Sequence, residues 1–168
     1  AGGAAATQTL DVSQETQVAA AFAEVVQREG RLDILVNNAG ISHVGNILET
    51  TADDWDRVMG VNARGVFLCT REGLRQMLAQ EPRGGSIVNI ASVAGMIAVD
   101  RRFPYSASKG AVISITRSVA IDFATSGVRV HDVNIVATMQ AGGVQRLLTN
   151  DPHDFAAFSH LITVLPLV

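Results

Sequence analysis

Short apolar runs alternate with helical patterns along this chain, and that alternation limits the possible folds more than any other feature. Runs typical of buried strands occupy residues 32–36 and 86–90, another begins at residues 128–130, and residues 6–12 also read as a strand. The stretches between these runs carry apolar residues at helical spacing. Strands that alternate with helices form a parallel sheet with crossover helices, so the sequence predicts an α/β fold.

Three helices are predicted from their start signals, apolar stripes and stop signals. Ser13 is the predicted N-cap of the first helix, which ends at Gly30. A capping box over residues 51–54 opens the second helix, and the third runs from about Tyr105 to a stop at Gly127. The residues expected to face the core are Val18, Phe22, Val25 and Val26 in the first helix, Trp55, Val58, Met59, Asn62 and Val66 in the second, and Val112, Ile115, Val119 and Phe123 in the third.

The composition is that of a compact folded protein. Of 168 residues, 48% are hydrophobic and 17% are charged, which suffices for one sizeable core, so we expect a single Rossmann-like domain over residues 1–168. The net charge of −3 offers no basic surface for nucleic acid. Residues 1–10 lack the features of a signal peptide, and the apolar tail at residues 161–168 is too short to span a bilayer. We therefore expect a cytoplasmic protein with neither nucleic-acid nor membrane partners.

Cysteine and histidine usage indicates neither a disulfide nor a metal site. Cys69 is the only cysteine, which excludes an internal disulfide and fits a reducing compartment. The histidines have no metal-ligand spacing and no partner cysteines or paired carboxylates, so we expect structural or surface roles for them and no bound metal. They are His43, His131, His153 and His160.

The clearest chemical signal is the segment Tyr105-Ser-Ala-Ser-Lys109. A spacing of four residues places both side chains on one face of a helix, about one turn apart. An ammonium group held beside a phenol stabilises the phenolate and lowers the pKa of the tyrosine, which lets the tyrosine exchange protons near neutral pH. Taken alone the pair is a weak signal, because exposed pairs at this spacing are common on helices.

Three further features accompany this pair in a fixed order. Asn-Asn-Ala-Gly follows a predicted strand at residues 37–40, Asn62 interrupts an apolar helical stripe, and Ser92 lies thirteen residues before Tyr105. With this set the chain resembles the short-chain dehydrogenase/reductase family, from about residue 7 to residue 130. The resemblance implies a Rossmann-like doubly wound parallel sheet. It also implies hydride transfer between the nicotinamide of NAD or NADP and a small alcohol or ketone.

The resemblance implies catalytic roles for four residues. Tyr105 would be the general acid for reduction and the general base for oxidation. Lys109 would tune Tyr105 and hold the nicotinamide ribose. Ser92 would hydrogen-bond the substrate oxygen, and Asn62 would help to hold a proton-relay water.

The resemblance also implies a set of cofactor contacts. Asp11 and Val12 would contact the adenine, and the segment around Gly40 would lie beside the dinucleotide. Small residues let the backbone approach a cofactor closely, and Gly40 can take a positive φ. The whole implied set is Asp11, Val12, Asn38, Ala39, Gly40, Tyr105 and Lys109.

Each of these features also has a structural interpretation that the sequence leaves open. Asn62 could be a buried amide that is satisfied by nearby backbone. Ser92 could cap a helix or a turn, and residues 37–40 could be an ordinary turn at the end of a strand. The other serines near the motifs match no family position; they are Ser42, Ser86, Ser106 and Ser108.

The chain departs from the family's pattern at both ends. Family members begin with a strand, a glycine-rich turn and a helix that cradle the pyrophosphate. This chain begins with Ala-Gly-Gly-Ala and without a methionine, so we expect truncation, processing or omitted residues. After Val130 no Pro-Gly turn follows, and residues 131–168 read as a divergent tail. We therefore expect a sheet without the family's first two strands and without the glycine-rich turn.

The missing strands have a structural and a functional consequence. Residues 32–36 would keep a bare apolar edge in a sheet without those strands. The edge would be covered if residues 7–12 pair there, if another chain covers it, or if the missing strands are present in the protein. The alternative to an enzyme is a non-catalytic, truncated remnant of the family that acts only through oligomerisation.

Apolar residues left over on the long helices predict self-association. One helix face can pack on the sheet, so a second apolar face needs another partner, and a symmetric dimer is the commonest solution. We expect a homodimer or homotetramer, although these residues could instead widen the core. They are Val66, Phe67, Leu74, Ile113 and Ile121.

Overall fold

Helices and strands alternate in the predicted order in the first of two compact units. The computed structural model describes residues 5–132, 146–149 and 163–166, and the two units are Ala1–Asp132 and Val133–Val168. The elements of the first unit are α1 (Glu15–Glu29), β1 (Ile34–Asn37), α2 (Ala52–Met59), a π-helical turn (Gly60–Arg64), α3 (Gly65–Ala79), β2 (Gly85–Asn89), a 3₁₀ turn (Val93–Gly95), α4 (Phe103–Asp122) and β3 (Val128–Asp132).

The three strands form one parallel sheet in the order β1-β2-β3. β1 pairs with β2 from Ile34 opposite Ser86, and β2 pairs with β3 from Gly85 opposite Val128. Helices α3 and α4 pack on this sheet, and the predicted α/β class is confirmed. The main core cluster consists of Leu74, Met77, Ile87, Val128 and Val130.

The segment before α1 differs from the prediction. Residues 6–12 form no strand, and the N-cap of α1 is Gln14 instead of Ser13. Asp11 Oδ1 accepts hydrogen bonds from the backbone N–H of Ser13 at 2.9 Å and from its hydroxyl at 2.8 Å. An aspartate that bonds the backbone two residues on forms a turn that competes with extended structure, which explains both errors. The predicted stop at Gly30 is confirmed, with a left-handed φ of 77°.

The remaining helix starts follow the sequence signals closely. Thr51 caps α2, because its hydroxyl accepts a hydrogen bond from the Asp54 N–H at 3.1 Å. α4 begins at Phe103, slightly earlier than predicted, because Pro104 fits the first helical turn, where a missing N–H costs no hydrogen bond. Several predicted core residues are buried, namely Val18, Val58, Asn62, Val66 and Val112.

A chain of buried side-chain hydrogen bonds crosses the sheet at the carboxyl ends of β1 and β2. Asn37 Nδ2 donates to Thr70 Oγ1 at 3.0 Å and to Asn89 Oδ1 at 2.8 Å. Asn89 Nδ2 in turn donates to Thr116 Oγ1 at 2.9 Å, and that hydroxyl donates to the Val112 carbonyl at 2.8 Å. The chain ties the ends of both strands to α3 and α4, and these are the strand ends that lead into the motifs.

β1 lies at the edge of the described sheet, as predicted. Ile34 is 64% exposed and Val36 is 54% exposed, so the apolar run is open to solvent on one face. Because residues 7–12 form no strand, they do not pair with β1, and that way of covering the edge is excluded.

The apolar residues expected to be left over on the helices divide into two groups. Val66, Leu74 and Ile113 are buried in the core of the first unit, so they widen the core stripe. Phe67 is 46% exposed and Ile121 is 76% exposed. Only the second group still offers apolar surface to another chain.

The second unit contributes two described strands, β4 (Arg146–Thr149) and β5 (Thr163–Pro166), which pair in parallel. Most of the predicted divergent tail lies outside the described residues. None of the helices in the described part of the chain combines the length and the apolar content that a bilayer span needs.

Candidate active site

Tyr105 and Lys109 lie on the first two turns of α4 and face the same side. The Nζ atom of Lys109 lies 5.8 Å from the centroid of the Tyr105 ring, within the range of a cation–π contact. Lys109 is only 5% exposed, and Tyr105 is half-buried. The predicted register, which puts both side chains on one face of the helix, is confirmed, and the catalytic role of the pair stays a prediction.

The end of β2 fixes the position of Lys109. Its Nζ donates a hydrogen bond of 2.6 Å to the carbonyl oxygen of Ile90, the residue that follows the strand. The carboxyl ends of parallel strands are where ligand crevices form in open α/β sheets. The ammonium group is therefore anchored at the edge of the sheet where a ligand is expected.

Ser92 follows Ile90 by two residues and caps the 3₁₀ turn Val93–Gly95. Its Oγ accepts a hydrogen bond of 3.2 Å from the Ala94 N–H. This is the capping interaction that the sequence left open as an alternative. It uses only an acceptor lone pair of the hydroxyl, which keeps its hydrogen for another acceptor. Within residues 5–132 no hydrogen bond joins Ser92 to Tyr105.

Asn62 is fully buried in the π-helical turn between α2 and α3. Its Oδ1 accepts from the Ile41 N–H at 2.8 Å, and its Nδ2 donates to the Ile41 carbonyl at 2.8 Å and to Ser108 Oγ at 2.9 Å. An amide NH₂ group has two hydrogens, and both are used here. The Asn62 side chain is therefore a buried amide with hydrogen-bond partners, which is the structural interpretation that the sequence left open. Its role in holding a proton-relay water stays a prediction.

The Asn-Asn-Ala-Gly turn leads from β1 to Ile41, whose backbone N–H and C=O both bond the Asn62 side chain. Asn38, Ala39 and Gly40 are exposed, whereas Asn37 belongs to the buried hydrogen-bond chain. Gly40 does not have the positive φ that its residue type allows. A Cβ placed there would lie 3.5 Å from Asn62 Oδ1 and 3.7 Å from Lys109 Nζ, so glycine leaves open the space beside both groups.

A small, half-open cleft lies beside this turn, with an accessible volume of about 10 Å³. It brings together Val12 and Ala39, which are two of the predicted adenine and dinucleotide contacts. Burial, helped by the charge of Glu72, raises the pKa of the Cys69 thiol in its wall, so the wall is uncharged near neutral pH. The cleft is lined by Val12, Asn37, Ala39, Val61, Gly65, Val66 and Cys69.

Asp11 lies next to Val12 and is exposed. Hydrogen bonds from the Ser13 hydroxyl and backbone lower the pKa of its carboxyl group, so it is ionised at neutral pH. Its side chain thus shapes the turn before α1 and carries a negative charge next to the cleft residue Val12.

Sequence reasoning missed two residues near this site. Ser108 matched no family position, yet it is fully buried and bonded to Asn62. Gly95 was not singled out, although the turn that contains it packs on the backbone of α4. A hydroxyl one residue before Lys109 and a glycine three residues after Ser92 carry no local signal, because both roles depend on contacts between distant segments.

In the described part of the chain no three His, Cys, Asp or Glu side chains lie close enough to hold a metal ion.

Comparison with known proteins places the chain in a family. A model of the short chain dehydrogenase family matches residues 1–146, which is wider than the stretch of 7–130 expected from the motifs. An uncharacterized oxidoreductase of Thermotoga maritima is 39% identical over 99% of the chain and 64% of its own length. A 2-(R)-hydroxypropyl-CoM dehydrogenase of Xanthobacter autotrophicus is 48% identical over 73% of the chain and 50% of its own length.

Solved structures give the same result. The crystal structure of a putative short-chain dehydrogenase/reductase from Burkholderia xenovorans is 33% identical, with a TM-score of 0.74 over 78% of this chain and 51% of that one. The chain thus spans about half to under two thirds of the length of these relatives. The sequence match, the parallel sheet and the arrangement of Tyr105 and Lys109 agree, and the chain belongs to the short-chain dehydrogenase family.

Proposed function

We propose that the chain carries the catalytic segment of an NAD- or NADP-dependent oxidoreductase that interconverts a small alcohol and the corresponding ketone. The observation that carries this proposal is the contact between Tyr105 and Lys109, whose ring and Nζ lie 5.8 Å apart at the carboxyl end of β2. We assign the role of acid and base to Tyr105, because its ring lies beside the Lys109 ammonium group, which would stabilise a phenolate.

Two features of the described residues support a nicotinamide dinucleotide as the cofactor of this reaction. The small cleft beside Val12 and Ala39 has a mostly apolar lining, against which one edge of an adenine ring would pack, and Asp11 and Asn38 supply polar groups next to it. Gly40 leaves backbone and open space in front of Lys109, where a ribose hydroxyl could bond the ammonium group. When bound, the nicotinamide ring supplies or accepts the hydride.

In the proposed reaction the side chains of this chain hold and move a proton at the substrate oxygen. In ketone reduction the Tyr105 hydroxyl gives its proton to the developing alkoxide, and in alcohol oxidation the phenolate takes that proton back. Ser92 donates a hydrogen bond to the same oxygen and fixes its position. Lys109 stabilises the phenolate that forms at Tyr105.

The name of one relative suggests the class of substrate. The Xanthobacter protein is named as a 2-(R)-hydroxypropyl-CoM dehydrogenase, and a 2-hydroxypropyl group is a secondary alcohol. We therefore propose secondary alcohols and their ketones as the first substrates to test.

The test is nicotinamide-dependent turnover of a panel of secondary alcohols and methyl ketones with NAD and with NADP. Turnover by the unaltered protein should fall at least a hundredfold in Tyr105→Phe, because general acid–base catalysis contributes about 10²–10⁴-fold. Ser106→Ala is the matched control on the next residue of α4 and should keep its rate. Equal rates for Tyr105→Phe and the unaltered protein would overturn the proposal.

A further inference from the structure

One hydroxyl group beside the candidate site is fully buried and has two hydrogen-bond partners. Ser108 Oγ accepts a hydrogen bond from Asn62 Nδ2 at 2.9 Å and donates one to the Tyr105 carbonyl oxygen at 2.7 Å. A short run of hydrogen bonds therefore leads from Ile41 through Asn62 and Ser108 to the backbone of Tyr105.

The orientation of the Asn62 amide makes this run directional. Ile41 presents both its N–H and its C=O to the amide, at 2.8 Å each. Turning the amide over would set oxygen against oxygen and N–H against N–H, so only one orientation satisfies Ile41. The single N–H left on Asn62 then points to Ser108, whose own hydrogen must go to Tyr105.

This run of bonds joins the two parts of the candidate site that come from distant segments. On one side lies the turn at Gly40 and Ile41, and on the other lies the first turn of α4. A Cβ on Gly40 would lie 3.5 Å from Asn62 Oδ1 and 3.7 Å from Lys109 Nζ, so Asn62 and Lys109 both border the space in front of the turn. Buried hydrogen bonds of this kind rigidify a site when they are fully satisfied.

We propose that Ser108 is a positioning residue, which together with Asn62 fixes the backbone of Tyr105 relative to the turn at Gly40 and Ile41. Tyr105 needs such a support because it lies in the first turn of its helix, where helices fray. What Tyr105 is positioned to do rests on the proposed function, whereas the support itself can be tested without any turnover.

Neighbouring residues supply matched variants. Ser108→Ala removes the hydroxyl, and Ser108→Thr keeps a hydroxyl that can bond the same carbonyl. Ser106→Ala removes a buried hydroxyl that bonds no group in the described part of the chain, so it controls for loss of a serine in the same turn. Ile87→Val removes one methylene from the main core cluster and controls for loss of stability alone.

The chain is suited to a direct spectroscopic test, because Tyr105 is its only tyrosine and Lys109 is its only lysine. Labelling of one ring position in tyrosine and of one side-chain position in lysine gives a single NMR signal from each residue. We expect Ser108→Ala to shift both signals and to weaken the cross-peak between the ring and the lysine side chain. Ser108→Thr should move the signals back toward those of the unaltered protein, and Ser106→Ala and Ile87→Val should leave them in place.

Two results would overturn the inference. The first is a Ser108→Ala spectrum in which both signals are unchanged. The second is an Ile87→Val spectrum with shifts as large as those of Ser108→Ala, since the effect would then follow stability instead of position.

Steady-state kinetics separates this inference from the proposed function. In a protein that turns over, Ser108→Ala should lower kcat roughly ten- to a hundredfold with little change in KM, because misplacement of a catalytic group costs rate. Absence of turnover in every protein, the unaltered one included, would contradict the proposed function, and the NMR result would still decide the role of Ser108.

Discussion

Gly95 packs against the backbone of Lys109 so closely that a Cβ on it would lie 2.6 Å from the Lys109 carbonyl carbon and 2.7 Å from the Gly110 nitrogen. The turn after Ser92 therefore rests directly on α4, at the backbone of the residue that carries the ammonium group. This contact is how the chain brings Ser92 to the helix that carries Tyr105, although thirteen residues separate the two in sequence.

Gly95→Ala should destabilise the protein, because backbone on both sides must move to admit the methyl group. Overpacking of this kind costs about 1–3 kcal/mol in free energy of unfolding. The partner glycine gives the control, since a Cβ on Gly110 would lie at an ordinary 3.5 Å from the Gly95 oxygen. Gly110→Ala should be neutral or stabilising within a helix. Equal denaturation midpoints for the two variants would refute the packing argument.

The buried hydrogen-bond chain across the sheet predicts a large effect at Asn89. Asn89→Ala removes the partner of Asn37 and of Thr116 and leaves buried polar groups unpaired, at a cost of about 3 kcal/mol in free energy of unfolding. Asn38→Ala, at an exposed amide in the next turn, should change stability by less than about 0.5 kcal/mol. In urea unfolding, a small effect at Asn89 would mean that these bonds contribute little.

Thr116→Val offers a further test of the same chain of bonds. Its effect should not add to that of Asn89→Ala, because the two side chains share one hydrogen bond, and a coupling of about 1 kcal/mol is expected. A double variant whose effect is the simple sum of the two single variants would contradict direct coupling.

The sequence predicted most of the element order, because the strand runs and helix signals are local. Each of these signals depends on contacts within one or two helical turns. The structure agrees with the predicted cap at Thr51, the predicted stop at Gly30 and the shared helix face of Tyr105 and Lys109. The prediction of a strand at residues 6–12 was wrong, because Asp11 bonds Ser13 and turns the chain toward α1.

The supports of the candidate site were harder to predict, because they join distant segments. Asn62 was recognised as a polar residue in an apolar stripe, but its partners Ile41 and Ser108 lie far away in sequence. No local pattern identifies Ser108 or Gly95, since their roles depend on how α4 docks against the turns after β1 and β2.

The thiol of Cys69 predicts a pH dependence. Burial and the charge of Glu72 raise its pKa in the folded protein, so its alkylation rate should rise at a higher pH than in the unfolded chain. The Cys69 thiol has a higher pKa in the folded protein than in the unfolded chain. Its contribution to the free energy of unfolding is therefore complete below the unfolded pKa of about 8.5, and it is lost as the pH rises through the folded pKa.

The measurement is the midpoint of the pH–rate profile for alkylation, with the chain in denaturant as reference. Glu72→Gln should lower the midpoint of the native profile, because it removes the neighbouring negative charge. Coincident native and denatured midpoints would contradict the assigned burial.

Self-association stays a prediction, and the structure narrows where to test it. Ile121 is 76% exposed on α4, so Ile121→Glu should shift a dimer or tetramer toward monomer in sedimentation equilibrium at micromolar concentration. Leu48→Glu, at an exposed apolar residue outside the helices, is the control and should leave association unchanged. A monomer for the unaltered protein under these conditions would rule out the predicted oligomer.

The central claim is that Tyr105 exchanges a proton during hydride transfer from a nicotinamide. The most direct measurement is transfer of deuterium from reduced, ring-deuterated NAD or NADP to the carbonyl carbon of a ketone, read by mass spectrometry of the alcohol product. We predict a deuterated alcohol with the unaltered protein and with Ser106→Ala, and at least a hundredfold less with Tyr105→Phe. A Tyr105→Phe protein that transfers deuterium as fast as the unaltered one would contradict the account.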